Sequence, residues 1–556
     1  MPIVSLFSGP GGLDLGFHAA GFRTIFAADF SERAVETYNR NLPAVAKQID
    51  LATTPVENIV ALVRTTGNAP RGVVGGPPCQ SFSQANVKKR KNDPRAKLIF
   101  RFAEIVAALN QEFALDFFVM ENVAALAKPK YRGLLDDLKA EFKNAGFVVS
   151  ERVMNARDFE VPQHRPRLFL VGIRNELAAF ARYEFPSGQR TDKTVRSTID
   201  GFPLPKFFER RERRRKVPFH PNHWTMMPKS KKFEGDSAET GRSFKKLAWD
   251  DVSPAVAYGH REIHVHPTGT RRLSLFEALL LQGFPKRFVL QGNLSEQVTQ
   301  VSNAVPPPLA KAIATSVRNV LYDQRDAIQT LLLAYAAREG REFPWRKTSD
   351  TFHLLVAEKL LQQTAARAVV VKAYEEIIRR WRTPSDLACA RVSEVRKVVQ
   401  PLGLTYRADE LIALANAIVS RCDGKVPLDR AALMRLPGVG EYAADAVLSF
   451  SKTTSTAVVD TNVSRLLHRL LGLHGDLPSN PARSSKLKQL ATWFAASQDS
   501  RRMNYAILDF TSAVCTARSP ECAACPISQY CVLRTTRGAD MRTEPDAVLA
   551  RGKRAM

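Results

Sequence analysis

The cysteines of this 556-residue chain divide into two kinds of candidate chemistry. Cys79 follows the apolar run "VVGG" on a loop stiffened by Pro77 and Pro78. A lone cysteine is most often a small buried apolar residue. On a loop where glycines let a ligand approach the backbone, its thiolate is instead a candidate nucleophile. The residues that accompany Cys79 have to decide between these two interpretations.

Four other cysteines stand close together, spaced C-x6-C-x2-C-x5-C. They are Cys515, Cys522, Cys525 and Cys531. Zinc sites generally use two separated C-x2-C pairs, whereas four thiolates in one compact loop suit a [4Fe–4S] cluster. Zinc remains the alternative. Disulfides are disfavoured in a chain that we expect in a reducing compartment.

Carboxyl and guanidinium groups accompany Cys79 in the first half. The run "FVMENV" places Glu121 at the end of a strand-like segment, and "QHRPRLFLVG" places Arg165 and Arg167 before another. The carboxyl ends of parallel strands form the ligand crevice of α/β sheets. A thiolate, a carboxyl group and two guanidinium groups suit nucleophilic attack on an electron-poor heterocycle.

The second half carries a different set of residues. "LPGVGEYAADA" predicts a hairpin, with Gly438 and Gly440, that opens a helix with Tyr442 in its first turn. Bare backbone N–H groups at a helix start bind an anion such as a DNA phosphate, although ordinary helix-start turns use glycine too. Asp460 follows the run "TAVV" and opens another helix, so capping is its simpler interpretation. Glu358 lies within the apolar segment "HLLVAEKLL".

Two domains have to position these groups. Apolar β-branched runs alternate with helical patterns over residues 1 to about 175, which predicts a parallel sheet with crossover helices. A basic, proline-rich stretch interrupts this pattern from about 180 to 265, and the first domain is expected to end near 322. Helical segments without strand signals predict an all-α domain over 330–535. Residues 536–556 have the composition of a disordered basic tail.

Composition narrows the expected partners. Lys and Arg number 81 against 55 Asp and Glu, a formal net charge of +26. This excess favours nucleic acid over a membrane, because no basic amphipathic helix stands out; charge that only maintains solubility is the alternative. The sequence has no signal peptide and no membrane-spanning run. We therefore expect a cytoplasmic, nucleoid-associated prokaryotic protein without membrane contact.

Over residues 1–322 the sequence resembles DNA (cytosine-5)-methyltransferases. The resemblance rests on six blocks in the family's order, namely "SLFSGPGGLDLGF", "GGPPCQSFS", "ENV", "NARDFEVPQHRPR", "RRLSLFEALLLQGFP" and "QVSNAVPPPLA". It implies a Rossmann-like α/β fold with a small target-recognition region at about 180–265. Ser302 and Asn86 replace glycines usual in the family, which bears on rate and loop mobility rather than on reacting groups.

By position, the resemblance makes Cys79 the catalytic nucleophile that adds to C6 of cytosine and activates C5 for methylation. Glu121 would hydrogen-bond the N3/N4 edge of the ring, and Arg167 with Arg165 would hold O2. These atoms are out of reach in stacked DNA, so the target base has to be flipped out. Residues 88–95 would form the loop that closes over DNA; a solvated charge run is the alternative.

The methyl donor implied by the resemblance is S-adenosylmethionine. The glycine turn lets the backbone approach it, Asp29 falls at the ribose position and Asp50 at the adenine position, where a simple helix cap is the alternative. The implied cofactor-binding residues are Phe7, Gly9, Gly11, Gly12, Asp29, Asp50, Pro78 and Asn303.

Residues 343–531 resemble the cluster-bearing helix-hairpin-helix DNA glycosylases, the superfamily of endonuclease III and adenine glycosylases. The matching blocks are "FPWRKTSDTFHLLVAEKLLQQT", "LPGVGEYAADAVLSF", "AVVDTNVSRLLHRLL" and the four spaced cysteines. The resemblance makes Asp460 the catalytic aspartate and Gly438 and Gly440 DNA-binding residues. Glu358 matches a proton-donating glutamate of adenine glycosylases; a polar pocket residue is the equal alternative.

Tyr442 stands where strand-cleaving relatives carry a lysine that forms a Schiff base with the sugar. A tyrosine here resembles the thymine–guanine mismatch glycosylases, whose phenol lines the base pocket. We therefore expect a cytosine-5 methyltransferase joined to a monofunctional glycosylase that removes thymine, and uracil, opposite guanine. Adenine excision is the alternative, as is a half that only binds DNA. Double-stranded DNA is the expected partner, with a cognate restriction endonuclease as a further candidate.

Overall fold

The structure is a computed structural model that describes residues 1–78, 97–208, 217–229, 233, 245–255, 264–362, 368–403, 405–454 and 456–537. The chain divides into two compact units, Met1–Leu321 and Tyr322–Met556. Each unit has a hydrophobic core of its own. Within the described ranges, no helix is long and apolar enough to span a membrane.

The first unit is built on a seven-stranded sheet. Its strands, with the short β7 that lies outside this sheet, are β1 (Pro2–Leu6), β2 (Arg23–Asp29), β3 (Ala46–Gln48), β4 (Gly72–Gly75), β5 (Phe117–Val123), β6 (Phe147–Asn155), β7 (Gln163–His164) and β8 (Pro166–Arg174). The spatial order is β3-β2-β1-β4-β5-β8-β6. The α/β class expected for this half is confirmed.

The sheet is not wholly parallel, which differs from the sequence expectation. Strand β8 pairs antiparallel with both β5 and β6. A parallel return needs a crossover connection, usually an α-helix. The segment 156–165 between β6 and β8 holds a 3₁₀ turn and β7 but no α-helix. The chain therefore reverses direction and inserts β8 between β5 and β6.

Helices cover the sheet of the first unit and continue into its C-terminal part. They are α1 (Gly12–Ala19), α2 (Glu32–Asn41), α3 (Val56–Arg64), α4 (Lys97–Phe113), α5 (Arg132–Asn144), α6 (Asn175–Ala181), α7 (Val195–Ile199), α8 (Leu275–Leu281), α9 (Leu294–Asn303) and α10 (Pro307–Arg318). On the core side the ring of Phe118 stacks on Phe142 at 4.0 Å and meets Phe147 edge-on at 5.2 Å. Rings packed in these geometries add to plain area burial.

The stretch from about 180 to 265 is only partly described. It contains two short parallel strands, β9 (Lys206–Phe208) and β10 (Trp224–Met226), and β11 (Ser253–Pro254), which pairs with β7. Helices α7, α8 and α9 share a separate small core around Leu273 and Leu279. The predicted target-recognition region contributes Val195, Ile199 and Leu247 to this cluster, whose other buried members lie in residues 273–304.

The second unit is helical throughout its described residues, as expected. Its helices are α11 (Gln324–Glu339), α12 (Thr351–Leu361), α13 (Ala368–Arg380), α14 (Pro384–Ala388), α15 (Val392–Val399), α16 (Arg407–Arg421), α17 (Arg430–Met434), α18 (Glu441–Phe450), α19 (Thr461–Leu471), α20 (Ser485–Ala495), α21 (Ser500–Ala513) and α22 (Val532–Arg537). Of the predicted basic tail, 538–556 lie outside the described residues.

Close packing of α1 on α10 brings the glycine-rich segment against the C-terminal part of the first unit. A Cβ placed on Gly16 would collide with the Ala310 side chain and lie 2.5 Å from the backbone nitrogen of Lys311. Backbone atoms cannot yield cheaply at such distances. Only glycine therefore permits this helix–helix approach.

We predict that Gly16→Ala lowers the free energy of unfolding by about 1–3 kcal/mol, because overpacking forces the two helices apart. The matched control is Gly133→Ala in α5, where an added Cβ meets nothing within 4 Å. There the alanine should be neutral or stabilise by up to about 1 kcal/mol. Denaturant unfolding of both variants measures the difference, and equal effects would contradict the packing argument.

Candidate active sites

A buried ion pair marks the crevice at the end of β5. Glu121 Oε1 lies 2.9 Å from Arg167 Nε, and both side chains are largely buried. Burial raises the pKa of Glu121, while the positive charges of Arg167 and Arg165 oppose this rise. Burial and the two guanidinium groups therefore act on the pKa of this carboxyl group in opposite directions.

The loop that leads to the predicted nucleophile is anchored from the same strand. Asn122 Nδ2 donates to the carbonyl of Pro77 at 3.1 Å. A Cβ on Gly76 would lie 3.1 Å from Glu121 Oε2, so this part of the loop passes close to the carboxyl group. Pro78 is the last described residue of the loop, and Cys79 lies outside the described residues, as does the predicted closing loop 88–95. The sequence analysis gave no role to Asn122.

Arg165 lies close enough to Glu121 to act on its pKa and is held by backbone carbonyls. Its side chain is fully buried, and Nη2 donates to the carbonyls of Ser302 and Ala304, the latter at 2.9 Å. These two carbonyls flank Asn303, which ends α9 and is exposed. Arg165 thus fixes the backbone on both sides of Asn303, while Arg167 is the arginine paired with Glu121.

The glycine turn after β1 forms a crevice beside Asp29. The backbone N–H of Gly9 donates to Asp29 Oδ2 at 2.8 Å, and burial raises the pKa of Asp29. Gly9 has φ +53°, and a Cβ there would meet nothing within 4 Å, so the turn borders open space. Phe7 also has positive φ, at +52°. Gly11 is the N-cap of α1 and Gly12 its first residue.

Two residues of this region were missed by sequence reasoning. Phe30, directly after Asp29, is 71% exposed. Asp14 is fully buried and accepts hydrogen bonds from three hydroxyl groups, those of Ser5, Thr24 and Tyr38. These hydroxyls come from β1, β2 and α2, so Asp14 fastens the elements that frame the glycine turn. In the sequence, the available signal for Phe30 was an aromatic residue directly after the acidic residue that ends a strand.

Asp50 makes local turn contacts. Its Oδ1 accepts from the backbone of Ala52 and its Oδ2 from the hydroxyl of Thr53, each at 3.0 Å. These contacts close a local turn. The helix that follows, α3, has Pro55 as its N-cap, so Asp50 does not cap it. Each oxygen retains a second lone pair, so a role toward adenine is compatible with this geometry.

In the second unit the predicted catalytic residues border one cavity. Its volume is about 360 Å³, a size suited to a small molecule. The residues that line it are Glu358, Leu361, Gln362, Gly440, Tyr442, Ala443 and Asp460. The structure therefore brings together side chains from α12, α18 and the start of α19 that are far apart in sequence.

The cavity holds a protonated carboxyl group at neutral pH. Burial raises the pKa of Glu358 to about 8, and the negative charge of Asp460 adds to the rise. Burial, with the charges of Glu358 and Asp460, likewise holds the pKa of Tyr442 well above its ordinary value. The Tyr442 phenol is therefore neutral at physiological pH, and it lines the cavity.

Asp460 is both a helix cap and a cavity residue. Its Oδ1 accepts from the backbone N–H of Val463 at 2.7 Å, and its Oδ2 accepts from Asn462 Nδ2 at 3.0 Å. The capping interpretation and the functional one are therefore compatible. These hydrogen bonds fix the position of the carboxyl group at the start of α19.

The predicted hairpin leads directly into this cavity. Gly438 adopts φ +69°, a left-handed conformation that favours glycine, and Gly440 is the N-cap of α18. No side chain caps this helix start. Beneath the hairpin lies the buried Lys359, to which the sequence analysis gave no role.

The four spaced cysteines lie near one another as free thiols. Burial raises the pKa of Cys525 to about 11, and the charges of Cys515, Cys531 and Cys522 add to the rise. In the part of the chain that the structure describes, no three Cys, His, Asp or Glu side chains converge on one metal ion. Four thiols near one another supply the sulfur ligands that either a [4Fe–4S] cluster or a structural zinc ion takes.

Helix α19 links the cluster loop to the cavity. Arg465 donates to the carbonyl of Cys515 at 2.8 Å, and Arg469 Nη1 lies 3.6 Å from the sulfur of the same cysteine. Cys531 in turn lies 3.3 Å from the carbonyl of Arg469. Both arginines are on the helix that Asp460 caps, so the cysteine loop and the cavity carboxylate share one rigid element.

Comparison with known proteins identifies the first unit. The family model for C-5 cytosine-specific DNA methylases matches residues 1–319. The type II methyltransferase M.MthTI of Methanothermobacter thermautotrophicus is 31% identical over 347 residues, which covers 58% of this chain and 98% of that protein.

The second unit matches another group. The HhH-GPD superfamily of base excision DNA repair proteins matches residues 356–492, and the iron–sulfur binding domain of endonuclease III matches residues 515–531. The chain is a C-5 cytosine-specific DNA methylase fused to an HhH-GPD DNA glycosylase. The C-5 cytosine methylase family uses S-adenosylmethionine as its methyl donor. The glycosylase unit carries an iron–sulfur binding domain.

Two archaeal proteins resemble the glycosylase unit closely. The thymine-DNA glycosylase of Aeropyrum pernix is 37% identical over 201 residues, covering 36% of this chain and 89% of that protein. The thymine/uracil-DNA glycosylase of Pyrobaculum aerophilum is 36% identical over 217 residues, covering 38% of this chain and 92% of that protein.

Burial of Glu358 should destabilise the glycosylase unit as pH rises. Its folded pKa, about 8, lies above the ordinary value of 4.5, so the folded state retains a proton that the unfolded state loses. Stability should therefore fall between these two values and level off above them. We predict that Glu358→Gln raises the melting temperature relative to the parent chain, and more at about pH 9 than at about pH 5.

Differential scanning calorimetry, with the visible absorbance of the cluster marking the glycosylase transition, measures this effect. The matched control is Glu342→Gln, since Glu342 is 84% exposed and, among the described residues, pairs with the exposed Lys347. A gain of Glu358→Gln that does not grow with pH would contradict the burial argument.

Proposed function

We propose that the chain methylates C5 of cytosine in a specific DNA sequence and removes thymine, and uracil, mispaired with guanine. Two observations support this. The first is the Glu121–Arg167 pair beside the anchored loop that leads to Cys79. The second, which carries the glycosylase assignment, is the cavity shared by Tyr442, Asp460 and Glu358.

In the methylase unit the Cys79 thiolate forms a bond with C6 of a flipped cytosine, which turns C5 into a nucleophile. Glu121 hydrogen-bonds the N3/N4 edge, and Arg167 holds O2 while it also orients Glu121. The C5 carbon takes the methyl group and then loses its proton, and the sulfur–C6 bond breaks to restore the thiolate. Arg165 keeps Asn303 in place rather than touching the base.

The crevice beside Asp29 fits the proposed methyl donor. S-adenosylmethionine, when bound, supplies a methyl group activated by a sulfonium. The open turn at Gly9 admits a ligand to the backbone, and Asp29 suits the ribose hydroxyls. The exposed ring of Phe30 can cover a purine opposite Phe7. Gly11, Gly12, Asp50 and Pro78 complete the proposed set, with Asp50 the member most committed to local turn contacts.

We predict that Cys79→Ser abolishes methyl transfer, because a hydroxyl is a far weaker nucleophile at neutral pH. The same variant should retain base excision, since Cys79 belongs to the other unit. Transfer of a radiolabelled methyl group to DNA measures the first activity, and excision from a mismatched duplex provides the internal control. Near-normal methylation by the variant would overturn the mechanism.

In the glycosylase unit the bond between C1′ and the base breaks, and water supplies the new C1′ oxygen. The Asp460 carboxylate stabilises the positive charge on the sugar and orients this water. Glu358, protonated at neutral pH, can donate its proton or a hydrogen bond to the departing base. Tyr442 lines the cavity and cannot form an imine with the sugar, so the strand should remain intact.

The two proposed activities are chemically related. Deamination of 5-methylcytosine gives thymine opposite guanine, a mismatch that leads to a mutation at the methylated site. A glycosylase for this mismatch would remove the mutagenic by-product of the methylase. The two archaeal relatives are named for thymine or thymine and uracil, which favours the same substrate class.

Adenine excision is the second candidate, because a carboxyl group with a pKa of about 8 suits protonation of a purine.

We predict that T·G and U·G duplexes lose their pyrimidine while A·G duplexes remain intact. Strands should break only after alkali cleaves the abasic sites. A preference for A·G would support the second candidate, and strand breaks before alkali would contradict the role of Tyr442.

The partner of both units in this proposal is double-stranded DNA, in line with the net charge of +26. The names of the methylase relatives as type II methyltransferases favour a cognate restriction endonuclease as a further partner. The hairpin at Gly438 and Gly440 would hold one DNA phosphate through backbone N–H groups.

A further inference from the structure

A lysine lies buried directly beneath the proposed phosphate-binding hairpin. The side chain of Lys359 is 1% exposed. Its Nζ donates to Glu410 Oε2 at 2.8 Å, to Gln362 Oε1 at 3.1 Å and to the carbonyl of Gly438 at 3.3 Å. A buried ammonium group needs partners of this kind, since its three N–H groups would otherwise lose their hydration.

The ammonium group of Lys359 lies directly against the hairpin backbone at Gly438. A Cβ on Gly438 would collide with Lys359 Nζ, so the glycine lets the hairpin backbone rest on the charge. Gln362 Nε2 also donates to the Gly438 carbonyl, at 3.3 Å. Gln362 lines the base cavity, and Lys359 follows Glu358 in the same helix. One cation thus contacts both the hairpin and a wall of the cavity.

The charge of Lys359 is partly neutralised by Glu410, whose side chain is 39% exposed. A positive charge buried in protein acts over a longer distance than one in water, because the surroundings screen it less. A phosphate held by the hairpin N–H groups would feel the difference between these two charges. Removing the charge of Lys359 should therefore lower the affinity for phosphate, and removing the charge of Glu410 should raise it.

We propose that Lys359 is a positioning residue that supports the hairpin through the Gly438 carbonyl and strengthens its grip on a DNA phosphate, and that Glu410 sets how much of its charge the phosphate feels. This inference rests on the proposed function, since it assigns the hairpin to DNA. It adds a charge below the hairpin to the backbone contacts above it.

The test uses the full chain and two duplexes of one sequence, one unmodified and one carrying a tetrahydrofuran abasic analogue. The ratio of the two affinities isolates the glycosylase unit, because both duplexes offer the methylase unit the same DNA. Lys359→Met should reduce this ratio by about three- to tenfold, the range for one charge acting across a few ångströms of protein. Glu410→Gln should raise it by a similar factor.

A merely structural role for the pair predicts another pattern. Both variants break the same ion pair, so both would lower the melting temperature and both would weaken abasic binding. Equal weakening, or no change in either variant, would overturn the proposal. If Lys359→Met does not fold, Glu410→Gln alone decides, because only an electrostatic role predicts tighter binding.

Two controls separate this inference from the function on which it rests. Lys347→Met and Glu342→Gln break an exposed pair in the same unit and should leave the affinity ratio unchanged. The double variant Lys359→Met/Glu410→Gln should fall between the two single variants. A parent chain that shows no preference for the abasic duplex would contradict the glycosylase assignment itself, whereas a normal preference with equal single variants would contradict only the role of Lys359.

Discussion

Burial of a carboxyl group is the constraint that both candidate sites share. A carboxylate loses its hydration when it is buried, so burial raises its pKa unless positive charge compensates. Glu121 has such compensation from two arginines, yet its pKa remains raised. Glu358 has no such cation among the causes of its shift; its charged neighbour there is another carboxyl group. Positive charge therefore opposes the rise of the pKa at the first site, whereas negative charge adds to the rise at the second.

Much of the fold followed from local patterns in the sequence. The α/β class, the helical second unit and the separate basic stretch were all visible as periodicity or composition. The reversed direction of strand β8 was not visible in this way. Strand direction depends on whether the connection holds a crossover helix, and the segment 156–165 before β8 holds none. Local hydrophobic pattern predicts that a strand exists and leaves its neighbours open.

The sites were predicted less completely than the fold, and the reason is again distance along the chain. Motif position places Arg165 with Arg167, but only the folded chain shows that Arg165 binds the carbonyls around Asn303. Lys359 lies beside Glu358 in sequence, and its burial under the hairpin depends on Glu410 and Gly438 from other segments. The residues proposed to touch the base lie within the family motifs. The residues that hold these side chains in place are determined by packing between distant segments, which a motif does not record.

Asp460 shows how one residue serves stability and chemistry together. A capping aspartate is fixed by backbone N–H groups at the start of its helix, and here these bonds also hold the carboxylate in the cavity. Its negative charge adds to the burial that raises the pKa of Glu358, so the residue that caps α19 also acts on the buried carboxyl group of the cavity. The same helix carries Arg465 and Arg469 to the cysteine loop. The cysteine loop and the cavity carboxyl group are therefore connected through a single helix.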